Sequence, residues 1–444
     1  MVNKKSISKH VKTAMMSILA ASTVLSISTG VLAKDVKTHS ASYRTVTEIE
    51  DWGAVITKVI VDLGKPVAKG AVTADTFNVY VERSDSRLAN PLFEKGYRKV
   101  INAYVSDKDG NPAVQTGKYA VLEMEIGPEL SLGSALNFVW PPGFNAWTEN
   151  KYTITQQKEI KTPAGDITGL VAGTFTGGVR ELVDDFTNGK VTYNDITLTY
   201  ADFAPAQDNH KNPLIIWLHG FGEGGTDPTI PISANKAANF ASEQIQSYFD
   251  GAYVLAPQTP TYWMDGFTGF GDGTSKYQDS LMAFIKDYAE NNKDIDTNRI
   301  YIGGDSNGGY MTMLMIRDYA DYFAAAFPTC ESLRDTLVTD EDIQNMKEIP
   351  IWFIAAKTDT VVPPDQYTVP TYNRLVQAGA KNVHLSLFNN VIDTSGLYKN
   401  SDGMPYEYGG HNSWIYVYNN DVKETINGKE TTLMEWLASQ SLNK

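Results

Sequence analysis

The stretch RIYIGGDSNGGYMT, residues 299–312, contains the pattern that decides the fold of the second half of this chain. RIYI has the composition of a short buried strand, the residues after Gly308 have that of a helix, and G-x-S-x-G lies between them. A serine on such a turn needs an unusual backbone conformation, and flanking glycines remove side chains that would clash there. The helix that follows favours negative charge at the turn. We therefore interpret Ser306 as a nucleophile rather than as a polar residue of a glycine-rich turn.

Strand-like and helix-like segments alternate on both sides of this turn. Nearly continuous apolar runs are typical of parallel strands that helices cover on both faces. These runs are PLIIWLHG, YVLAPQ, RIYIGG, AAAFPT and IPIWFIAAKTD. The helix-like segments are KYQDSLMAFIKDYAENN, NGGYMTMLMIRDYADYF, VPTYNRLVQAGA and TTLMEWLASQ. The alternation predicts a doubly wound, mostly parallel sheet over residues 173–444.

The preceding part of the chain has a different periodicity. Segments such as AVITKVIVDLG, TFNVYVERS and KYAVLEMEIG alternate apolar and polar residues at period two, and turn residues separate them. Because no helical run intervenes, we predict an all-β immunoglobulin-like sandwich domain over residues 34–172. SDKDGNPA, residues 106–113, has the spaced carboxylates of a calcium loop but lacks the rest of that motif. A hairpin turn at Asp109-Gly110 is the expected structure there.

The N-terminus has the features of a secretory signal. A basic segment precedes the run AMMSILAASTVLSISTGVLA, and the small residues before position 34 predict cleavage after Ala33, although a membrane anchor is the alternative. Residues 1–33 contain four lysines and no acid, so their removal changes the formal net charge from −14 to −18. An acidic surface disfavours nucleic acid as a partner. Cys330 is the single cysteine, which excludes an intrachain disulfide. We expect a secreted protein without a membrane span after cleavage.

A serine nucleophile needs a base and an acid that orients the base. His411, in YGGHNSW, follows a long polar loop near the C-terminus and is the predicted base. The other histidines after residue 33 are interpreted as solvated or structural: His39, His210, His219 and His384. Asp359 directly follows the apolar run IPIWFIAAKT and is the predicted acid. The alternative acids are Asp365, Asp393 and Asp402. The order Ser306, Asp359, His411 along the chain is that of α/β hydrolases.

Stabilising the tetrahedral intermediate requires hydrogen-bond donors for its oxyanion. The backbone N–H of Asn307, after the nucleophile, is one predicted donor. The loop LHGFGEGG, residues 218–225, provides the other, and Phe221 is the expected residue. This glycine-rich loop lacks the Lys-Ser/Thr ending of a phosphate-binding P-loop. His219 and Glu223 are interpreted as structural residues of the loop.

An aromatic loop and one residue after the base are the candidates for substrate contact. The loop TPTYWMDGFTGFGDG, residues 259–273, follows the strand-like YVLAPQ. Trp263 is its predicted substrate-binding residue, and Trp414, three residues after His411, is the second. Tyr262, Phe267 and Phe270 could line the same pocket, although packing within the loop is the alternative for each aromatic residue.

The motifs LHGFGEGG, RIYIGGDSNGGYMT, AAKTDTVVPP and GGHNSW resemble those of the α/β-hydrolase superfamily. More narrowly, the chain is similar to secreted bacterial EstA-type esterases, of the polyhydroxybutyrate-depolymerase and feruloyl-esterase-like group, which have an immunoglobulin-like domain before the hydrolase domain. The resemblance implies hydrolysis of carboxylic esters through an acyl-enzyme, with Ser306, Asp359 and His411 as the triad. Asn307 departs from it, because many relatives have an apolar residue there. The family resemblance does not predict the shape of the insert over residues 388–410, which we expect to form part of the substrate rim.

These observations predict a serine esterase that acts on short acyl or aryl esters, free or linked to a polymer. No metal and no cofactor are expected. A homo-oligomer formed through the first domain is a possible assembly. A prolyl-oligopeptidase-like serine peptidase is the enzymatic alternative, because the motif does not distinguish esters from amides. A non-catalytic surface-binding protein is the alternative from another class.

Overall fold

The structure, a computed structural model, describes residues 39–208 and 210–442. The predicted signal sequence lies outside the described residues. Ten strands form the first part of the described chain: β1 His39–Glu50, β2 Gly53–Ala68, β3 Phe77–Ser84, β4 Leu92–Arg98, β5 Val100–Ser106, β6 Thr116–Met124, β7 Leu136–Val139, β8 Phe144–Trp147, β9 Glu149–Gln156 and β10 Leu170–Arg180. Eight of them form one sheet in the order β4-β3-β9-β10-β1-β2-β6-β5, and β7 pairs with β8 as a separate hairpin.

The period-two pattern of the sequence becomes the two faces of this first sheet. In β3 the residues Phe77, Val79 and Val81 are buried, whereas the side chains between them are more exposed. Such alternation is what a strand with one covered face requires. Val79 and Val81 share a core with Val59 of β2 and Leu122 of β6, and β3 contacts β5 across the fold. The predicted β-rich, immunoglobulin-like domain is confirmed.

The predicted domain boundary between residues 172 and 173 is displaced in the structure. It falls inside β10, which stays in the first sheet as far as Arg180 and pairs in parallel with β1. The pairing includes Val46 opposite Val179. The second sheet begins with β11 at Thr187. The sequence LVAGTFTGGVR contains three glycines and little apolar alternation after Ala172, so its pattern did not show the continuing strand.

The second part contains a second eight-stranded sheet. Its strands are β11 Thr187–Tyr193, β12 Ile196–Phe203, β13 Asn212–Leu218, β14 Tyr253–Gln258, β15 Ile295–Asp305, β16 Ala325–Thr329, β17 Ile351–Ala356 and β18 Val383–Phe388. The order is β11-β12-β14-β13-β15-β16-β17-β18. The pairs β11–β12 and β12–β14 are antiparallel, and the five others are parallel. The predicted doubly wound, mostly parallel sheet is confirmed.

Eight helices accompany this sheet in the described chain: α1 Ile230–Ser233, α2 Glu243–Gln246, α3 Gln278–Asn291, α4 Asn307–Asp318, α5 Asp340–Met346, α6 Thr368–Gln377, α7 Trp414–Tyr418 and α8 Leu433–Ala438. Two short hairpins complete it: β19 Val391–Ile392 with β20 Glu407–Tyr408, and β21 Lys423–Ile426 with β22 Lys429–Thr432. The predicted helices match α3, α4, α6 and α8. Among the described residues, no helix has the length and apolar character needed to cross a membrane.

The central strands of the second sheet are buried on both faces. Every residue of β13, β14 and β17 is buried, which explains why these segments are continuous apolar runs in the sequence. One face of the second sheet packs around Trp217, and its opposite face packs against α3 and α4. The C-terminal ends of β13, β15 and β17 therefore lie at one edge, where open α/β sheets place their sites.

Candidate active site

Ser306 lies on a sharp turn between β15 and α4. Its backbone has φ 53° and ψ −110°, a conformation that is uncommon for a residue with a side chain. Two glycines allow this turn to pack against β13. A Cβ on Gly304 would lie 2.5 Å from the carbonyl oxygen of Leu218, and a Cβ on Gly308 would lie 1.8 Å from the same atom. The G-x-S-x-G spacing is therefore a steric requirement of the turn, which holds the Ser306 side chain above the sheet edge.

The three predicted catalytic residues meet at this edge. The hydroxyl of Ser306 lies 2.9 Å from Nε2 of His411, and Nδ1 of His411 lies 2.8 Å from Oδ2 of Asp359. The other oxygen of Asp359 accepts hydrogen bonds from the N–H groups of Val361 and Val362, each at 2.9 Å. An acceptor-only carboxylate on Nδ1 fixes that nitrogen as the proton donor. Nε2 is then free to accept the proton of the Ser306 hydroxyl.

His411 is held in place by the packing of its own short helical turn, Gly410–Asn412. A Cβ on Gly410 would lie 2.4 Å from the carbonyl oxygen of Thr358, so the turn rests directly on the chain beside Asp359. The Trp414 ring meets the imidazole edge-on, with 5.3 Å between ring centroids. The imidazole therefore has one packed orientation, between the acid and the serine.

The alternative bases and acids lie in other environments. His39 and His210 are exposed, and His384 of β18 contacts Glu424 and Asn382. Asp365 is exposed. The carboxylates of Asp393 and Asp402 accept hydrogen bonds within their own loop, from Gly396 and from Met404 respectively. None of these side chains hydrogen-bonds Ser306 or His411 in the described chain.

The two residues predicted as oxyanion donors, Phe221 and Asn307, each begin a helix beside Ser306. Asn307 is the first residue of α4, and Phe221 is the first residue of the short 3₁₀ helix Phe221–Glu223. The first N–H groups of a helix have no acceptor within it. Both residues line the cavity that contains Ser306. These N–H groups are therefore available to a negatively charged oxygen beside the nucleophile.

Trp263 does not lie where the sequence predicted. It is completely buried and is not among the residues of the cavity wall. Its backbone N–H donates to Oδ1 of Asn307 at 2.6 Å, and its indole N–H donates to the carbonyl of His219 at 3.1 Å. The prediction of a substrate contact was wrong because the side chain turns into the core. Trp263 instead connects the loop 218–225 to the start of α4 through these two hydrogen bonds.

His219 supports the same loop from inside. Its Nδ1 lies 2.6 Å from the carbonyl oxygen of Gly220, so this nitrogen donates, and Nε2 accepts from the N–H of Thr259 at 3.2 Å. The network requires a neutral ring, and burial accordingly lowers the pKa of His219 to about 4. Both ring nitrogens are occupied by backbone groups, which agrees with the structural role expected for this residue.

Two buried carboxyl groups lie against Gly220 of the loop 218–225: that of Glu223, which was predicted to be a structural residue of this loop, and that of Asp305, for which no role was predicted. A Cβ on Gly220 would lie 2.5 Å from Oδ2 of Asp305 and 2.9 Å from Oε2 of Glu223. Burial raises the pKa of Glu223 to about 7. Burial, followed by the charge of Glu223, raises the pKa of Asp305 well above its ordinary value. The sequence shows both acids beside glycines, but only the fold brings them to one glycine.

The cavity beside Ser306 has a volume of about 280 Å³. Its apolar wall consists of Phe138, Phe221, Met264, Phe267, Phe270, Val361 and Trp414. The predicted residue Trp414 is therefore in the wall, together with Phe267 and Phe270. Tyr262 is not among the wall residues, and its ring stacks on that of Phe221 with 5.0 Å between the ring centroids. Phe138 belongs to β7 of the first domain. The sequence contained no signal for its position, because nothing local relates β7 to the hydrolase sheet.

The acidic and histidine side chains and the single cysteine, Cys330, are the groups that could provide metal binding or thiol chemistry. Within residues 39–208 and 210–442, no group of three or more His, Cys, Asp or Glu side chains could hold a metal ion. Cys330 is buried, and burial raises the pKa of its thiol well above the ordinary value. A thiol in that state is a poor nucleophile.

Comparisons with known families agree with the two-domain description. Residues 42–169 match the family described as esterase Ig-like N-terminal domain. Residues 270–343, which include Ser306, match the prolyl oligopeptidase family. No curated protein matches the sequence of the chain.

Solved structures extend this comparison to nearly the whole chain. The crystal structure of a thermostable esterase is 25% identical, with a TM-score of 0.73, and the match covers 90% of this chain and 99% of that chain. Est1E from Butyrivibrio proteoclasticus is 16% identical over 45% of this chain and 88% of its own, with a TM-score of 0.32. The Pyrococcus horikoshii acylaminoacyl peptidase is 13% identical over 85% and 68%, with a TM-score of 0.38. The last two similarities are too low to support an argument about this chain.

The two family matches, the strand order and the full-length structural match give one identification. The chain is a serine hydrolase with an α/β-hydrolase fold, and its architecture is similar to that of esterases that have an immunoglobulin-like domain before the hydrolase domain.

Proposed function

We propose that the protein hydrolyses carboxylic esters through an acyl-enzyme intermediate, with Ser306 as the nucleophile, His411 as the base and Asp359 as the acid that orients it. The observation that supports this most strongly is the unbroken series of hydrogen bonds from Ser306 through His411 to Asp359, at 2.9 and 2.8 Å. Ser306 lies in the wall of a cavity that Phe221 and Asn307, each the first residue of a helix, also line.

In the first half of the reaction, Oγ of Ser306 attacks the ester carbonyl carbon while its proton moves to Nε2 of His411. The carbonyl π electrons move to its oxygen, and the N–H groups of Phe221 and Asn307 stabilise the resulting oxyanion. The bond from carbon to the alcohol oxygen then breaks, and His411 returns the proton to the departing alcohol. Asp359 stays ionised throughout and stabilises the imidazolium form of His411.

In the second half, water attacks the acyl-enzyme carbonyl and gives its proton to Nε2 of His411. The oxyanion forms again at the same N–H groups. The bond between the acyl carbon and Oγ of Ser306 breaks, the carboxylic acid leaves, and the proton returns to Ser306. Each oxyanion donor accounts for about 100- to 1,000-fold in kcat in enzymes of this type.

The cavity favours small apolar groups. A volume of about 280 Å³ is at the low end of small-molecule pockets. Its wall is largely aromatic and aliphatic, and no lysine or arginine belongs to it. Short acyl or aryl esters, free or presented by a polymer, are therefore the proposed substrates.

A peptidase is the second candidate, because residues 270–343 match the prolyl oligopeptidase family. The mechanism above would also cleave an amide. The cationic side chains that could pair with a peptide C-terminus are missing from the cavity wall as the structure describes it, and this observation favours esters.

A panel of substrates tests the proposal. The panel contains p-nitrophenyl esters of increasing acyl length, an arylacyl ester, acetylated sugars, a polyester film and proline-containing peptides. Fastest turnover of short acyl or aryl esters by the wild type, with loss of activity in Ser306→Ala, is the expected result. Preferential cleavage of the peptides, or equal turnover by the variant, would overturn the proposal.

We further propose that the enzyme is exported and that residues 1–33 are removed, on the basis of the signal-like N-terminal sequence. N-terminal sequencing of the protein from culture medium tests this, with residue 34 as the expected first residue. Self-association through the first domain is a separate proposal, which size-exclusion chromatography with light scattering tests.

A further inference from the structure

One hairpin of the first domain extends to the cavity of the second. β7 and β8 pair Phe138 with Asn145, and residues 140–143 connect the two strands. Phe138 lies in the wall of the cavity that contains Ser306, and 48% of its surface is exposed. This aromatic face is therefore available to a molecule that enters the cavity.

The hairpin is interlocked with the oxyanion loop. The side-chain amide of Asn145 donates to the carbonyl oxygen of Gly222 at 3.1 Å. A Cβ on Gly143 would lie 2.6 Å from Cζ of Phe221, and a Cβ on Gly224 would lie 2.7 Å from Cε1 of Phe144. Glycines on both sides of the contact thus permit an approach that other residues would prevent.

The hairpin is also braced within its own domain. Arg87 donates to the carbonyl oxygens of Phe144 and Asn137, at 2.8 and 2.6 Å. The carboxylate of Asp85 holds the Arg87 guanidinium and also accepts from the Asn137 side chain at 3.0 Å. A bidentate Arg–carboxylate pair is rigid. Phe138 is consequently fixed to the first domain through main-chain contacts rather than carried on a free loop.

The wall around Phe138 has an aromatic character. Phe267, Phe270 and Trp414 line the same cavity, and Phe221 stacks on Phe267 with 4.8 Å between centroids and 10° between planes. Aromatic rings gain from stacked or edge-to-face contact with other rings, in addition to the gain from the area they bury. A planar ring would pack against this aromatic wall more favourably than a saturated chain of similar size.

We infer that Phe138 of the first domain is a specificity-determining residue, which selects esters that contain an aryl ring for attack by Ser306. The inference rests on the proposed esterase function. It narrows the substrates to aryl esters and assigns their recognition to a residue of the first domain. The ring could belong to the acyl group or to the alcohol. A ring in either position presents the same flat apolar surface to Phe138. The test therefore includes one ester with the ring on the alcohol and one with the ring on the acyl group.

The test compares kcat/KM for three esters in the full chain. Ethyl acetate has no ring, phenyl acetate has one on the alcohol, and methyl 3-phenylpropanoate has one on the acyl group. In Phe138→Ala, the ratio of kcat/KM for one ring ester to that for ethyl acetate should fall about 10-fold, the effect of losing one good apolar contact. The ester that responds identifies the side on which the ring lies. Phe138→Leu, which keeps an apolar side chain but no ring, should fall in between.

Tyr97→Ala is the matched control, because Tyr97 is an aromatic residue of the first domain that is 70% exposed and outside the cavity wall. Its ratios should equal those of the wild type. Unchanged ratios in Phe138→Ala, with a urea midpoint that shows a folded protein, would overturn the inference. That result differs from failure of the proposed function, in which the wild type itself would hydrolyse none of the three esters.

Discussion

Asp359 holds the imidazole of His411 from a position 52 residues earlier in the chain, with 2.8 Å between Oδ2 and Nδ1. Asp359 follows β17, and its second oxygen is fixed by two backbone N–H groups of its own loop. His411 follows the insert and rests on that same loop through Gly410. The loop that follows the buried strand β17 thus determines the orientation of the His411 imidazole.

Asp359→Asn should lower kcat by about 1,000- to 10,000-fold with little change in stability, because an amide cannot hold Nδ1 as the proton donor and cannot stabilise the imidazolium. Steady-state kinetics on p-nitrophenyl acetate, with circular dichroism to verify folding, measure this. A variant that keeps more than a tenth of the wild-type kcat would show that another residue orients His411.

Asn307 should affect stability more than catalysis. Its side chain accepts the buried N–H of Trp263, and Asn307→Ala would leave that donor unsatisfied at a cost of about 1–3 kcal/mol. Its own backbone N–H persists in the variant, so kcat should fall less than 10-fold. Urea unfolding and kcat are the two measurements. A large loss of kcat at unchanged stability would show that the side chain itself acts in the reaction.

Gly308→Ala should inactivate the enzyme. The new Cβ would lie 1.8 Å from the carbonyl oxygen of Leu218, so the turn that carries Ser306 must move away from β13. A displacement of about 1 Å at a reacting group can cost about 100-fold in rate. Gly173→Ala is the control, because nothing lies within 4 Å of a Cβ there. Comparable activity of the two variants would contradict the packing described for the turn.

Glu331 should make the stability depend on pH. It is completely buried, one oxygen accepts the N–H of Leu333 at 2.8 Å, and burial raises its pKa from 4.5 to about 8. The folded protein therefore binds this proton more tightly than the unfolded chain, and stability falls as pH rises from 4.5 to 8.

Glu331→Gln removes this titration. The free energy of unfolding of the variant should rise relative to the wild type by on the order of 3 kcal/mol between pH 5 and pH 8. Urea titrations at several pH values measure the difference. Parallel pH profiles for the two proteins would show that Glu331 is ionised, or paired, in the folded state.

The residues that meet at Ser306 could be predicted because each has a local signature. A strand followed by G-x-S-x-G, an acid directly after a buried strand and a histidine near the C-terminus are constrained by the parallel sheet, which brings strand ends to one edge. The same logic gave the two-domain fold, because period-two alternation and continuous apolar runs indicate different kinds of sheet.

The cavity wall could not be predicted in the same way. Trp263 and Phe267 belong to one aromatic loop, and only the tertiary packing decides that Trp263 turns inward while Phe267 faces the cavity. Phe138 lies 168 residues before Ser306 (306 − 138) and in a different sheet, so no sequence period relates them. Asp305 and Glu223 meet at Gly220 only after β13 and β15 pair in parallel.

Labelling with a fluorophosphonate tests whether Ser306 is the nucleophile, because such a probe forms a covalent adduct with an activated serine. Peptide mass spectrometry of the labelled wild type should place one adduct on Ser306, with loss of esterase activity in proportion to labelling. Ser306→Ala should remain folded, unlabelled and inactive. An unlabelled but folded wild type, or an adduct on another serine together with full activity of Ser306→Ala, would show that Ser306 is not the nucleophile.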